Sequence, residues 1–346
     1  MRLSILLVFL FFSCTSKTNV VYSDRPTFAT VEIDTLLMDR ISIRALEIEN
    51  DKVWYASNLS RYGYYDLISN KHLQFVAFPD SLEFRSAALT RENLFFMNVG
   101  SPAYLFRSDK ISPDAKSVYT DNHPDAFYDS MHFWDENDGI AIGDPNGDQI
   151  SILITRDGGN SWVKSGSNLP KAVSGEAAFA ASDSNISIVG DTVWIVSGGV
   201  RSRVFVSADK GQSWKVFDTP IVQGKSMTGI FSCDFYNNEI GFIAGGDYEN
   251  QNQNFGNKAI TKDGGKNWRL VGQNKGPGYI SCVRFVPDSD GKGLVSVGAG
   301  GLYYSADSGE NWKLLHDDAS LYTIRFQNDN TAIAAGRNKI IRIRFQ

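Results

Sequence analysis

The stretch Thr155-Arg156-Asp157-Gly158-Gly159-Asn160-Ser161-Trp162 decides the fold, because it returns three times. The copies are Ser207-Ala208-Asp209-Lys210-Gly211-Gln212-Ser213-Trp214, Thr261-Lys262-Asp263-Gly264-Gly265-Lys266-Asn267-Trp268 and Ser305-Ala306-Asp307-Ser308-Gly309-Glu310-Asn311-Trp312. Their shared pattern is [S/T]-x-D-x-G-x-x-W. A short β-like run precedes each: Ile152-Leu153-Ile154, Val204-Phe205-Val206, Ala259-Ile260 and Leu302-Tyr303-Tyr304. This is the chemistry of a hairpin corner. Aspartate accepts from backbone N–H groups just ahead of it, glycine takes the positive φ, and tryptophan closes the corner with apolar surface.

The corner aspartates Asp157, Asp209, Asp263 and Asp307 recur at roughly 50 residues, the period of a four-stranded propeller blade. A second mark is a strand running into glycine or a small polar residue. It occurs at Val53-Trp54-Tyr55-Ala56-Ser57, Leu94-Phe95-Phe96-Met97-Asn98-Val99-Gly100, Gly139-Ile140-Ala141-Ile142-Gly143 and Val193-Trp194-Ile195-Val196-Ser197-Gly198. It recurs at Gly241-Phe242-Ile243-Ala244-Gly245, Leu294-Val295-Ser296-Val297-Gly298 and Thr331-Ala332-Ile333-Ala334-Ala335-Gly336. These marks predict an all-β, seven-bladed β-propeller of four-stranded antiparallel blades over 27–346. Blade one, at 41–78, lacks the corner; blade two, at 82–120, keeps a relic at Arg107-Ser108-Asp109-Lys110. The last blade shows only three strands of its own after Ser320. The N-terminal run Phe28 to Leu37 is predicted to supply the fourth and close the ring.

Composition agrees. The chain has 346 residues, 42% hydrophobic and 12% aromatic, with 31 glycines, which suits a turn-rich β protein with a real core. The net charge of −5 offers nothing to nucleic acid. The N-terminus reads as a targeting segment. Arg2 precedes an apolar run from Leu3 to Phe12, too short to span a bilayer, and Ser13-Cys14 follows at once. That arrangement resembles a bacterial lipobox, although Phe11 stands where leucine is usual. It predicts a signal peptide at 1–13, lipidation of Cys14, a polar tether at 14–26 and an exported protein of the cell envelope, at its periplasmic or outer-membrane face. The alternative is an ordinary secretory signal with an incidental cysteine. Cys233 and Cys282 occupy like positions in successive repeats. An exported chain permits their disulfide; two buried small hydrophobes is the plainer reading.

The corners match the Asp-box (BNR-type) repeat of sialidase-like propellers. Other segments are similar to the bacterial relatives of the photosystem II stability and assembly factor, sequences often loosely labelled glycosyl hydrolase or oxidoreductase. These are Ser42-Ile43-Arg44-Ala45-Leu46 with Val53-Trp54, Met131-His132-Phe133-Trp134 leading to Gly143-Asp144-Pro145, and Gly175-Glu176-Ala177-Ala178-Phe179-Ala180-Ala181-Ser182. Gly229-Ile230-Phe231-Ser232 and Gly245-Gly246-Asp247-Tyr248 belong with them. The resemblance implies a seven-bladed propeller. It carries no activity, because one fold hosts many functions.

In a propeller the corners lie on one face; the blade connectors and the loops between second and third strands lie on the other. Asp157, Asp209, Asp263 and Asp307, with Trp162, Trp214, Trp268 and Trp312, are therefore structural. The candidate binding face takes Asp125, Asp129, Glu176 and Tyr279 from connectors. Its loops supply Asp144, Arg201, Arg203, Asp247 and Tyr248, and Arg44 and Arg85 stand at the starts of first strands. Carboxylates, arginines and tyrosines around one mouth suit a polar or anionic ligand. A sialidase would need an arginine triad, a tyrosine nucleophile and an Arg-Ile-Pro-type start, and Ile43-Arg44-Ala45 and Phe84-Arg85-Ser86 are only superficially like it. If the protein is an enzyme, it is a glycoside hydrolase using Asp129, Asp247 or Glu176.

Gly143-Asp144-Pro145-Asn146-Gly147-Asp148 has calcium-like spacing but lacks the closing glutamate, and its Pro and Gly suit a tight turn. His72, His123, His132 and His316 are scattered without zinc spacing, and no dinucleotide fingerprint exists. No metal or cofactor is expected. The sequence thus points to a monomeric, non-enzymatic, envelope-anchored propeller that acts as an assembly or scaffold factor and binds a protein or peptide on its loop face. The alternative is a glycoside hydrolase or glycan-binding module using that face.

The anchor has a direct test. Cys14→Ser should release the protein from membranes of the native host, read by fractionation and mass. A wild-type chain that is soluble and carries no acyl mass refutes the lipid anchor.

Overall fold

The computed structural model describes residues 27–166 and 169–346. Cys14 and the whole targeting segment lie outside them. Every element among the described residues is a β-strand, and all pairings are antiparallel.

The expectation of seven separate four-stranded blades is corrected. Hydrogen bonding joins the described strands into six sheets, four of four strands and two of six. One six-stranded sheet runs Leu321–Phe326, Thr331–Phe345, Val31–Glu49, Lys52–Ser57, Arg61–Asp66, Lys71–Val76. It unites the units predicted as first and last, because one strand, Val31–Glu49, passes through both. Val31–Glu49 pairs first with the C-terminal strand, Val31 opposite Phe345, and then with Lys52–Ser57, Ile43 opposite Ser57. A register shift between Met38 and Ser42 lets one strand serve both. In the other large sheet, the short strands Glu176–Ala177 and Gly198–Gly199 are added beside Thr228–Phe235. Two facing glycines permit that approach: a Cβ on Gly198 would lie 3.0 Å from the Gly229 Cα.

The inner strands touch in a closed ring. Val31–Glu49 meets Phe84–Leu89, which meets Tyr128–Phe133, then Ile186–Val189, Thr228–Phe235, Ile280–Phe285 and Leu321–Phe326, and so back to Val31–Glu49. Apolar faces of adjoining sheets fill the space between them. Phe95, Met97 and Leu105 pack with Met131, Ala141, Leu153 and Trp162, for example, all buried. Cys233 and Cys282 are free, buried thiols in two different clusters of this kind.

The four corners are built alike. The leading hydroxyl of Thr155 donates to Asp157 Oδ1 at 2.8 Å and accepts from Gly159 N at 2.9 Å. Asp157 Oδ1 accepts from Ser161 N at 3.0 Å and Oδ2 from Ser161 Oγ at 2.6 Å. Equivalent bonds surround Asp209, Asp263 and Asp307. Burial alone would raise the Asp209 carboxyl, but the bonds from Ser213 and Ser207 outweigh it and hold it at about 2. Trp214, Trp268 and Trp312 each donate their indole N–H to the corner glycine carbonyl at 2.9–3.2 Å. The corner missing from the first unit has a simpler counterpart: Asp66 accepts from the amides of Ile68 and Ser69, just as Asp109 does from Ile111 and Ser112.

Each corner demands a left-handed residue directly after its aspartate. Gly158 and Gly264 fill it with φ of 70° and 75°, whereas Lys210 and Ser308 are forced to 54° and 61°. Serine in that region loses about 1–2 kcal/mol, partly offset against the extra chain entropy of a glycine. Ser308→Gly should therefore stabilise the fold by roughly 1 kcal/mol, seen as a higher melting temperature. An unchanged or lower melting temperature would contradict this account of the corner.

Candidate functional site

The centre of the ring is filled by backbone. Between Glu176–Ala177 and Ile186–Val189 the chain leaves the sheet and runs through the axis as Ala178 to Asn185. It touches every other inner strand by hydrogen bonds. Asp183 accepts from Ala87 N at 2.9 Å and Met131 N at 3.2 Å, and Ser184 O accepts from Cys233 N at 2.7 Å. Ser182 Oγ donates to Ser281 O at 2.6 Å, and Ser182 O accepts from Thr323 Oγ1 at 3.0 Å. Ala181 O accepts from Arg44 Nη1 at 2.8 Å. Burial pushes the Asp183 carboxyl up to about 8, against the pull of Arg325, which itself donates to Asp183 O at 2.8 Å. Residues 178–181 of this plug form the floor of a mouth on the loop side.

That mouth is a cavity of about 360 Å³ lined by Arg44, Arg85, Phe127, Asp144, Ala177 to Ala181, Ser226, Met227, Phe231, Tyr248 and Tyr279. Its wall is aromatic. Phe179 stacks on Phe231 at 3.9 Å with 7° between the rings, and Tyr279 meets both Phe231 and Tyr248 edge-on at 4.8 and 5.1 Å. Tyr248 is 42% exposed and stands at the rim. A smaller recess continues past Arg44, Tyr248 and Tyr279 to Tyr322 and Arg337.

Of the residues singled out from sequence, the structure gathers Arg44, Arg85, Asp144, Tyr248 and Tyr279 at this mouth. Arg44 lies 4.0 Å over the Tyr322 ring, and burial, then the nearby Arg85, lowers its pKa from the ordinary value. Arg85 is held by Glu83 at 2.8 Å. Asp144 accepts from Ala178 N at 2.8 Å, and burial pushes its carboxyl up to about 6. It is set there by Gly143, where a Cβ would lie 2.2 Å from the Phe127 carbonyl oxygen. Burial pushes the Tyr279 hydroxyl up as well.

The other candidates do not line the mouth. Glu176 is fully buried and committed to Arg203, Ser197 Oγ at 2.5 Å and Val173 N at 2.9 Å. Arg201 pairs with Asp218 at 2.9 Å, away from Asp144 and Asp247. Asp247 is buried, accepts from the amides of Glu249 and Asn250 and lies 3.5 Å from Lys225. Asp129 is wholly buried; its carboxyl is raised well above the usual range by burial and then by Asp144, and its oxygens make no well-formed hydrogen bond. Asp125 is exposed beside His123, to whose ring nitrogen its amide donates at 3.2 Å. The calcium-like loop is not a converging set either, because Asp148 turns to Lys171 at 3.0 Å. The corner aspartates share no residue with the mouth.

Sequence reasoning missed Phe127, Phe179, Met227, Phe231 and Tyr322. Phe179 and Phe231 stand inside segments that carried the family likeness, but nothing in their spacing reveals that they stack.

No family model matches the chain, and no curated protein matches it. Solved structures do. One is "YCF48 bound to D1 peptide", with a TM-score of 0.63 and 14% identity over 93% of this chain and 98% of that one. The structure of U3-55K matches with a TM-score of 0.64 and 13% identity, over 90% and 98% of the two chains. The RRP9 WD40 repeats match with a TM-score of 0.64 and 13% identity, over 91% and 97%. The chain is a β-propeller. Its described strands form six antiparallel sheets, four of them four-stranded; identities this low speak for the fold alone.

Glu176 offers a test of how its carboxylate is used. Glu176→Gln leaves Arg203 without its counter-charge and should destabilise the propeller by about 3 kcal/mol, read from the denaturant midpoint. Ligand capture by the folded fraction should be kept. An unchanged midpoint with lost capture would make Glu176 a functional acid.

Proposed function

We propose that this propeller is a non-enzymatic binding or assembly factor that receives a partner polypeptide at its loop-side mouth, held to the cell envelope through Cys14. The observation that carries the reading is the character of the mouth. Its surface is aromatic and apolar with few charges at the edge, the make-up of a binding hot spot, where Tyr, Trp and Arg anchors dominate. The acids that hydrolysis would draw on, Asp129, Glu176 and Asp247, are buried, two of them in bonds that hold loops and the third behind the wall. The likeness to a propeller seen with a peptide bound supports the same reading. The envelope location rests on the leader sequence.

Peptides selected from a random display library on the wild-type protein should bind at the mouth. Tyr248→Ala combined with Arg85→Glu should weaken them about tenfold or more, the scale of an interface anchor, with no change in melting temperature. Equal binding by the variant moves the partner elsewhere. Turnover on a panel of aryl-glycosides would replace the reading with an enzymatic one.

A further inference from the structure

The charges around the mouth are not equivalent. Arg85 is neutralised by Glu83 at 2.8 Å. Arg44 is spread over the Tyr322 ring and bonded to the plug through Ala181 O. Asp144 has a single hydrogen-bond donor, the Ala178 amide, and no cation of the described residues pairs with it. It stands in the wall of a pocket that it shares with the apolar side chains of Phe127, Phe179, Met227 and Phe231 and with the two arginines. Behind it, Asp129 is a second carboxyl, buried and without a well-formed bond of its own. A carboxylate in an apolar recess gains most from an incoming cation, because the surroundings screen the attraction weakly. Aromatic faces close by add attraction for the same kind of charge.

We propose that the mouth takes a cationic side chain of the partner segment, a lysine or an arginine, with its aliphatic stem against Phe127, Phe179 and Phe231 and its charge on Asp144. This rests on the partner reading above and narrows it: the segment carries a basic residue flanked by apolar ones. The geometry fits a long basic side chain, whose apolar stem and charged tip match an apolar wall that ends in an acid. The titratable and charged groups around the incoming charge are Asp144, Asp129 behind it, Arg44, Arg85, and the Tyr248 and Tyr279 hydroxyls.

The pH dependence has a definite sign. Asp144, pushed up to about 6 by burial, pairs only when ionised, so affinity should grow as pH rises through 6 and fall below it. The probes are 2-phenylethylamine and its neutral counterpart 2-phenylethanol, with dissociation constants from NMR titration on the full chain. The amine should bind at least about tenfold tighter than the alcohol at pH 7.5, an advantage lost at pH 5. Asp144→Asn, which keeps the acceptor for Ala178, should abolish the preference, whereas Asp125→Asn should not. Equal binding of amine and alcohol to the wild type overturns the proposal without recourse to a variant. So does a preference that survives Asp144→Asn in a protein that melts like the wild type. Selected peptides that bind the mouth but lack basic residues would sink this inference and leave the partner reading standing.

Discussion

The axial segment Ala178 to Asn185 is the constraint on which the rest of the molecule depends. A ring of inner strands leaves backbone and side-chain polar groups facing a narrow channel, and each buried group without a partner costs stability. Here one strand-like run gives up its own sheet bonds and offers its groups to the neighbouring inner strands. Asp183, in the left-handed conformation with φ of 54°, serves two amides at once. Ser182 and Ser184 reach across to Ser281 and Ser232. The channel is thereby closed in its middle by hydrogen bonds, and the mouth becomes a blind pocket with a fixed floor.

Below that plug the axis is ionic. Arg325 bonds Asp183 O and Thr323 and lies 3.4 Å from Glu47, and Arg284 lies 3.2 Å from Asp234. Above it the surface is aromatic. Plug and floor are the same residues, so the polar side of the segment is used up in holding the strands together. What remains for a ligand is alanine and phenylalanine. This division explains why the mouth is apolar although so many charged residues sit near it in sequence. Glu176, Arg203 and Asp247 are drawn into fixing loops, which leaves the wall to Phe127, Phe179 and Phe231.

The corners work at the other end of the molecule and by a different principle. Each is a self-contained turn, with aspartate, hydroxyl and glycine bonded within eight residues. Trp162 meets Phe95 of the neighbouring sheet and Phe133 of its own edge-on at 6.4 and 5.7 Å. Local chemistry therefore sets the turn, and the turn sets the spacing between sheets. The mouth is built from other loops, which differ from one repeat to the next.

Local, periodic features were legible in the sequence. The corner pattern specifies its own hydrogen bonds, so four copies were enough to read the class of the strands, their antiparallel order and the role of Asp157, Asp209, Asp263 and Asp307. Arg44, Arg85, Asp144, Tyr248 and Tyr279 were placed at the mouth by the same logic of alternating faces. Three features were decided only in three dimensions. The pairing of the N-terminal run with the C-terminal strand was expected, but that Val31–Glu49 continues as one strand into the first unit, merging two expected blades into one sheet, was not, because hydrogen bonds follow register and not repeat boundaries. Glu176 and Arg203, read as mouth residues, were withdrawn into a buried pair, since the identity of a charge does not reveal its partner. And Ala178 to Asn185, to which the sequence reading gave no element, became the plug: whether a run of small residues pairs in a sheet or fills a channel is settled by the space the other strands leave around it.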